Sequence, residues 1–207
     1  MTQGLFLTFE GIDGSGKSTQ ARLLTDTLKA EGRDVVLTRE PGGSDGAEMI
    51  RALLVEGDPD RWSAETEILL FTAARRDHLE KTITPALDAG KIVISDRFAD
   101  STRVYQGAAR GDLRGMVDAL HDLMIAREPD LTFVIDMDPG EALRRGLARA
   151  SGEDRFEDMG EDFQHRLRAG FLSLAEAAPA RCQVIDGNRP EDTVAQDVRT
   201  RVLAHLA

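Results

Sequence analysis

The chain contains one cysteine, Cys182, so no disulfide can close within it and a reducing cytosol is the expected setting. It lacks any apolar run approaching membrane-spanning length. Its first residues lead directly into Leu5, Phe6, Leu7, Thr8 and Phe9 without a basic leader, so a signal peptide is not expected. The four histidines (His78, His121, His165, His205) are scattered, without the spacing of a metal site. Net positive charge is missing too. With 37 acidic and 26 basic residues the chain carries a formal charge of -11, which argues against non-specific binding to nucleic acid or anionic lipid. Positive charge clusters locally, around Arg144, Arg145, Arg149 and Arg155, where a solvated helix face is the default expectation. No repeat, low-complexity tract or Pro/Gly/Ser linker divides the 207 residues, and 41% of them are apolar. A single domain spanning 1–207 is expected.

What is present is an alternation of two kinds of segment. Short runs rich in Val, Ile, Phe and Leu occur at Leu5–Glu10, Asp34–Arg39, Lys91–Asp96, Leu131–Asp136 and Gln183–Asp186. Longer stretches with helical spacing separate them; Val194, Val198 and Val202 form one such stripe. Asp138, Pro139 and Glu141 read as a helix start, and Asn188 with Glu191 repeats that logic before the last helix. Strands alternating with helices predict an α/β fold, a five-stranded parallel sheet covered by helices on both faces. Ligands of such sheets bind beyond the carboxyl ends of the strands. The loops after Glu10, Arg39 and Asp96 are therefore the places to look.

The first of these loops, Gly11, Ile12, Asp13, Gly14, Ser15, Gly16, Lys17, Ser18 and then Thr19, matches G-x-x-x-x-G-K-[ST] in full. Glycines let successive N–H groups curl inward around phosphate oxygens, and the following helix adds its positive end. Lys17 would reach the β- and γ-phosphates of ATP, and the Ser18 hydroxyl would hold Mg²⁺. An apolar strand before the loop and a helical pattern after it set this apart from an ordinary Gly-rich turn. Asp13 stands out, because an acid inside an anion-binding loop should repel the triphosphate. Either it points to solvent, as Asp often does in turns, or it faces a sugar hydroxyl of a second substrate.

The third strand ends in Asp96 and Arg97. Asp96 falls where a carboxylate would hold Mg²⁺ or its water shell, and Arg97 offers a planar fork to phosphate oxygens. The plain alternative is a structural ion pair. Phe71 and Arg75, four residues apart, share one face of a helix. They could stack on a nucleobase and donate to its carbonyl oxygen; by spacing alone, a core Phe beside a surface Arg is the default.

The chain resembles, over essentially its whole length, the bacterial thymidylate kinases, P-loop nucleoside monophosphate kinases. The resemblance is carried by Phe9 to Thr19, by Thr38, Arg39, Glu40, Pro41, Gly42 and Gly43, and by Leu70 to Arg75. It continues through Asp96 to Thr102, Tyr105 to Gly107, Pro129 to Thr132, and Asp154 to Glu157. It implies that Phe71 stacks on thymine, that Arg75 donates to a base carbonyl, and that Arg97 and Arg51 bind the acceptor phosphate. Thr102 and Gln106 would touch the base edge, and Tyr105 would disfavour a ribose 2′-hydroxyl. Asp13 falls at the family's sugar-contacting acid and Glu40 in the loop lining that pocket. Residues from about 149 to 157 resemble the lid. Since Ile12, Asp13, Gly14 and Ser15 are not basic, Arg149 and Arg155 of the lid are its candidate catalytic arginines. Phe98 stands where many relatives have Tyr, and Asp13 where many have Glu. The resemblance further implies a homodimer joined through helices.

The expected reaction is transfer of the γ-phosphoryl group of ATP to dTMP, with Mg²⁺, Lys17, Asp96, Arg97 and a lid arginine carrying the catalysis. Two other readings are weighed: the same chemistry on another nucleotide or metabolite, and a nucleotide-binding switch. A base-stacking ring argues against the metabolite, and a second substrate pocket against the switch.

Overall fold

Strand β1 (Leu5–Glu10) is buried on both faces along its whole length, which is why it reads as an unbroken apolar run and not as an alternation. In the computed structural model, which describes residues 4–57, 61–109, 111–147 and 160–206, it is the central strand of a five-stranded sheet. The others are β2 (Val35–Arg39), β3 (Ile92–Asp96), β4 (Leu131–Asp136) and β5 (Cys182–Asp186). Their order is β2-β3-β1-β4-β5 and every pairing is parallel. Three strands start one residue away from the positions expected from sequence, and none differs in kind.

Among the described residues, helices α1 (Lys17–Ala30), α2 (Asp45–Val55) and α3 (Ala64–His78) come before β3. Helix α3 runs on through a wide turn, Leu79–Ile83, into the short α4 (Thr84–Asp88). Then follow α5 (Ala99–Val104), a second wide turn at Tyr105–Ala109, and α6 (Arg114–Met124). Helices α7 (Pro139–Leu147), α8 (Glu161–Ala177) and α9 (Glu191–Leu206) complete the set.

The apolar stripes decide which face each helix covers. Leu24 and Leu28 of α1 and the Val194, Val198, Val202 stripe of α9 pack on β1, β3, β4 and β5 from one side. On the other side Phe163, Leu167 and Phe171 of α8 pack against Val104, Tyr105 and Val134. Next to them Phe6, Val93 and Phe98 meet Leu79 and Ile83, with the Phe6 and Phe98 rings edge to face at 5.0 Å. Asp138 begins α7 as the sequence suggests, its Oδ1 accepting from Glu141 N at 3.1 Å. Asn188 differs. Its Oδ1 accepts from Asp138 N (3.1 Å) and its Nδ2 donates to Asp186 (2.9 Å), so it ties the loop after β4 to the loop after β5 instead of capping α9.

Beneath α5 lies a buried charge cluster. Arg103 donates to Asp100 (2.7 Å), Asp118 (2.9 Å) and Glu128 (2.5 Å), and Arg181 donates to Asp100 (2.6 Å). Asp100 is 2% exposed. Burial opposes the ionisation of Glu128, but hydrogen bonds from its neighbours and the charges of Arg103 and Arg181 outweigh it and hold its carboxyl well below the usual range. Arg103→Met leaves the buried Asp100 to Arg181 alone and should therefore cost about 1.5–3 kcal/mol, the scale of a hydrogen bond to a charged group, lowering the melting temperature by roughly 3–12 °C in a domain of this size, as read by thermal denaturation. A change under a degree would mean that the cluster contributes nothing.

Candidate active site

The site begins with the backbone after β1. Gly11, Gly14 and Gly16 all have positive φ (135°, 79° and 96°). At Gly14 conformation and space coincide, since a Cβ there would stand 1.9 Å from the carbonyl oxygen of Ala142. The loop curls over a buried Ile12, so Ile12 presents its backbone, and its carbonyl accepts from Lys17 Nζ at 2.7 Å. Lys17 is buried at the start of α1; burial, with the charge of Arg97 behind it, brings its ammonium down to about 8. The Ser15 hydroxyl is buried without a partner among the described residues. A cleft beside this loop is lined by Ser15, Gly16, Thr19, Gln20, Arg145 and the stretch Gly187–Glu191. The contribution of the loop after β5 was not foreseen from sequence, because no motif marks it; only the strand order brings it beside the first loop.

A second cleft has Ser18 and Asp96 on its wall, with Thr38, Arg39 and Gly43. Asp96 Oδ1 is buried and has no protein partner among the described residues. An unpaired carboxylate oxygen and a hydroxyl sharing one cleft are the hard oxygen donors that a small divalent cation prefers.

The second half of the site is a cavity of about 120 Å³, lined by Asp13, Glu40, Pro41, Arg51, Val55, Phe71, Arg75, Arg97, Phe98, Ser101, Thr102, Tyr105 and Gln106. The loop after β1, the loop after β2, helices α2, α3 and α5, and the second wide turn all contribute to it. Phe71 is half-buried and faces the cavity, not the core.

Arg75 is 4% exposed and held by three hydrogen bonds. Its Nε donates to Glu40 Oε2 (2.7 Å), and its Nη2 to Thr102 Oγ1 (3.0 Å) and the Phe98 carbonyl (3.2 Å). Glu40 is held in turn by the buried His78, whose Nδ1 lies 3.0 Å from Oε1. A carboxylate only accepts, so this nitrogen carries the proton, and Nε2 meets the Thr38 hydroxyl at 2.7 Å. The peptide bond between Glu40 and Pro41 is cis, and the Pro41 carbonyl accepts from Arg51 Nη1 at 2.5 Å. Glu67, one turn before Phe71 on α3, accepts from Gln106 Nε2 at 3.1 Å. His78 was read in sequence only as one of four scattered histidines and expected at the surface, whereas it is buried; Glu67 was not singled out, and its helical stripe with Phe71 and Arg75 is the only signal it gave.

Asp13 turns into the cavity and away from the phosphate loop. Arg97 Nη2 and the Tyr105 hydroxyl (2.8 Å) both donate to its carboxylate, and Lys17 Nζ is 3.9 Å away. Burial opposes the charge on Asp13, but Arg97 and then Lys17 hold its carboxyl at about 2. Arg97 has φ 70°. Its Nη1 donates to Ser101 Oγ (2.8 Å) and to the Gly11 carbonyl (3.3 Å), so its guanidinium bridges the cavity and the phosphate loop. Glu10, the last residue of β1, is fully buried; burial first, then Asp100, raises its carboxyl to about 7. Sequence had marked it only as a strand end. Arg149 and Arg155 lie outside the described residues.

The arrangement is a phosphate-binding loop and a recessed, aromatic-bearing cavity that share one arginine. Comparison with known proteins agrees with it. The sequence profile of the thymidylate kinase family, described as "Thymidylate kinase", matches residues 9–198. A thymidylate kinase from Dinoroseobacter shibae is 73% identical over 207 residues, covering 100% of this chain and 98% of that protein. One from Caulobacter vibrioides is 50% identical, covering 100% and 99%. The crystal structure of thymidylate kinase from Ehrlichia chaffeensis superposes with a TM-score of 0.79 at 40% identity, covering 98% of this chain and 99% of that one. With matches of this extent to a site of this geometry, the chain belongs to the thymidylate kinase family.

Proposed function

We propose that the protein phosphorylates dTMP to dTDP with ATP as phosphoryl donor. The observation that carries this reading is that Phe71, Arg75, Thr102 and Gln106 line the same cavity as the arginines Arg51 and Arg97. The first group suits a pyrimidine and the second a phosphate. Phe71 stacks on the base, and Arg75, its direction fixed by Glu40, donates to a base carbonyl, with Thr102 and Gln106 at the base edge. Tyr105 and Asp13 face the sugar, where the bulk of the ring disfavours a 2′-hydroxyl. Gly11 to Thr19 cradle the triphosphate, and the adenine side of ATP falls toward the loop Gly187–Glu191.

The difficulty in the reaction is electrostatic, because two anions must meet in line. A nucleoside monophosphate has a second pKa near ~6, so its attacking oxygen is already largely ionised at neutral pH and no strong base is required. Lys17, Arg97 and Arg51 oppose the repulsion and take up charge on the transferred group. Mg²⁺, for which Ser18 and Asp96 are the fitting ligands, supplies further positive charge at the phosphates when bound. Arg149 or Arg155, the candidate catalytic arginines by resemblance to the family, adds charge stabilisation to the transferred group.

We further place the protein in the cytoplasm as a homodimer; no helix among the described residues is long and apolar enough to cross a membrane. Helices α3 and α6 pack together and leave Leu69, Met116, Leu123 and Met124 exposed, a surface that a second copy would cover. Sedimentation equilibrium should return twice the chain mass; a monomer at micromolar concentration would refute this.

The direct test is an ADP-release assay with Mg·ATP and dTMP, dUMP, other nucleoside monophosphates and thymidine. Preference for dTMP with thymidine inert is expected, and turnover of an unrelated acceptor would overturn the base pocket. Stacking on an aromatic ring is worth about 1–3 kcal/mol per base. Phe71→Ala should therefore raise KM for dTMP roughly 5- to 150-fold with KM for ATP little changed, and equal effects on both would count against the assignment. Of Arg149→Ala and Arg155→Ala, made separately, at least one should lower kcat by about 10³, the scale of transition-state arginines elsewhere. If neither does, the lid reading is wrong.

A further inference from the structure

Arg97 is one of two non-glycine residues with positive φ among those described, a conformation that side-chain-bearing residues adopt at a cost. Something must hold it. Its N–H donates to the Phe9 carbonyl (2.9 Å), and its own carbonyl accepts from Ser95 Oγ (2.7 Å). The stronger hold comes from the next turn of chain. Glu10 Oε1 accepts from Phe98 N (2.8 Å) and Ser101 N (3.3 Å), and Glu10 Oε2 accepts from Ser101 Oγ (2.6 Å).

The last of these bonds matters for the guanidinium. Burial raises the Glu10 carboxyl to about 7; above that pH it is ionised and can only accept, so the Ser101 proton points at Glu10. The lone pairs of the same oxygen then face Arg97 Nη1, which donates to it at 2.8 Å. One buried carboxylate thus sets both the backbone that launches the Arg97 side chain and the acceptor that aims it.

We infer that Glu10 is the positioning residue for Arg97, acting through Ser101 to aim the guanidinium at the acceptor phosphate. This rests on the assignment of Arg97 to that phosphate. Glu10 itself touches no substrate: it is fully buried beneath the loop. A strand-end acid that served only packing would have no reason to engage the serine to which Arg97 donates.

The test is a double-mutant cycle on the full-length enzyme with Glu10→Gln and Arg97→Met. The amide nitrogen of Gln cannot accept from Ser101, so the serine loses its forced orientation while size and fold are kept. A hydrogen bond to a charged group sets the scale, and Glu10→Gln should raise KM for dTMP about tenfold or more, with KM for ATP within about twofold. In the Arg97→Met background the same change should cost less than about twofold, because the group it positions is gone. Equal factors in the two backgrounds, or equal effects on both substrates, would reduce Glu10 to a structural acid and overturn the proposal. Should Glu10→Gln fail to fold, Ser101→Ala removes the bridge alone and must show the same coupling to Arg97; additivity there overturns it equally. If the wild-type enzyme prefers another nucleoside monophosphate, the dTMP assignment fails on its own, and the cycle is read on that acceptor.

Discussion

A site that gathers cations for two anionic substrates must hold those cations in place when no anion is bound. Buried, unpaired guanidinium and ammonium groups would repel one another and pay a large desolvation cost. Here the counter-charge is internal. Arg97 rests on Asp13, Lys17 lies 3.9 Å from that same carboxylate, and Arg75 is paired with Glu40 at 2.7 Å. The acid within the phosphate loop, anomalous when read as part of an anion site, is consistent once it is seen facing the neighbouring cavity. Its depressed pKa shows that it is ionised at neutral pH and balances the cations around it.

The sheet topology makes this arrangement possible. With the order β2-β3-β1, the carboxyl ends of three strands sit side by side, and the register pairs Asp96 with both Phe9 and Arg39. The phosphate loop, the Glu40 loop and the Arg97 turn therefore emerge within a few residues of one another in space. Because β1 and β3 are buried on both faces, small displacements of these ends are resisted by a close-packed core. Helix α3 then lies across the opening with Glu67, Phe71 and Arg75 on successive turns. Its wide turn at Leu79–Ile83 follows directly after His78, the residue that holds Glu40.

Much of this could be read from the sequence because apolar runs and the phosphate loop are local signals. The five strands were placed to within a residue because β1, β3 and β4, buried on both faces, leave unbroken apolar runs, and the half-exposed edge strands β2 and β5 still keep short Val, Leu and Ile runs. The loop was legible because its glycines are demanded by backbone shape. What stayed hidden was relational. Nothing in the neighbourhood of His78 says that its ring would meet Glu40, 38 residues away in sequence. Asn188 had the residue type of a helix cap but was drawn off by Asp138, 50 residues distant. Glu10 looked like a strand end because its partners, Phe98 and Ser101, are some 90 residues along the chain.

The acidic composition poses one last question, since a chain of charge -11 must attract ATP and a nucleoside monophosphate. Distance resolves it. Charges on the solvated surface are screened over about 8 Å at physiological ionic strength. Acids on the outer surface, away from the clefts, therefore contribute little at the bottom of a recessed cleft. Lys17, Arg75 and Arg97 sit inside, where low polarisability leaves their fields at greater strength. The same separation argues for selectivity. A long polyanion meets the acidic exterior first, whereas a single nucleotide can pass it and reach cations that only a group of its size can approach. Net charge thus governs what is kept away, and the buried pairs, Arg97 with Asp13 above all, govern what is bound.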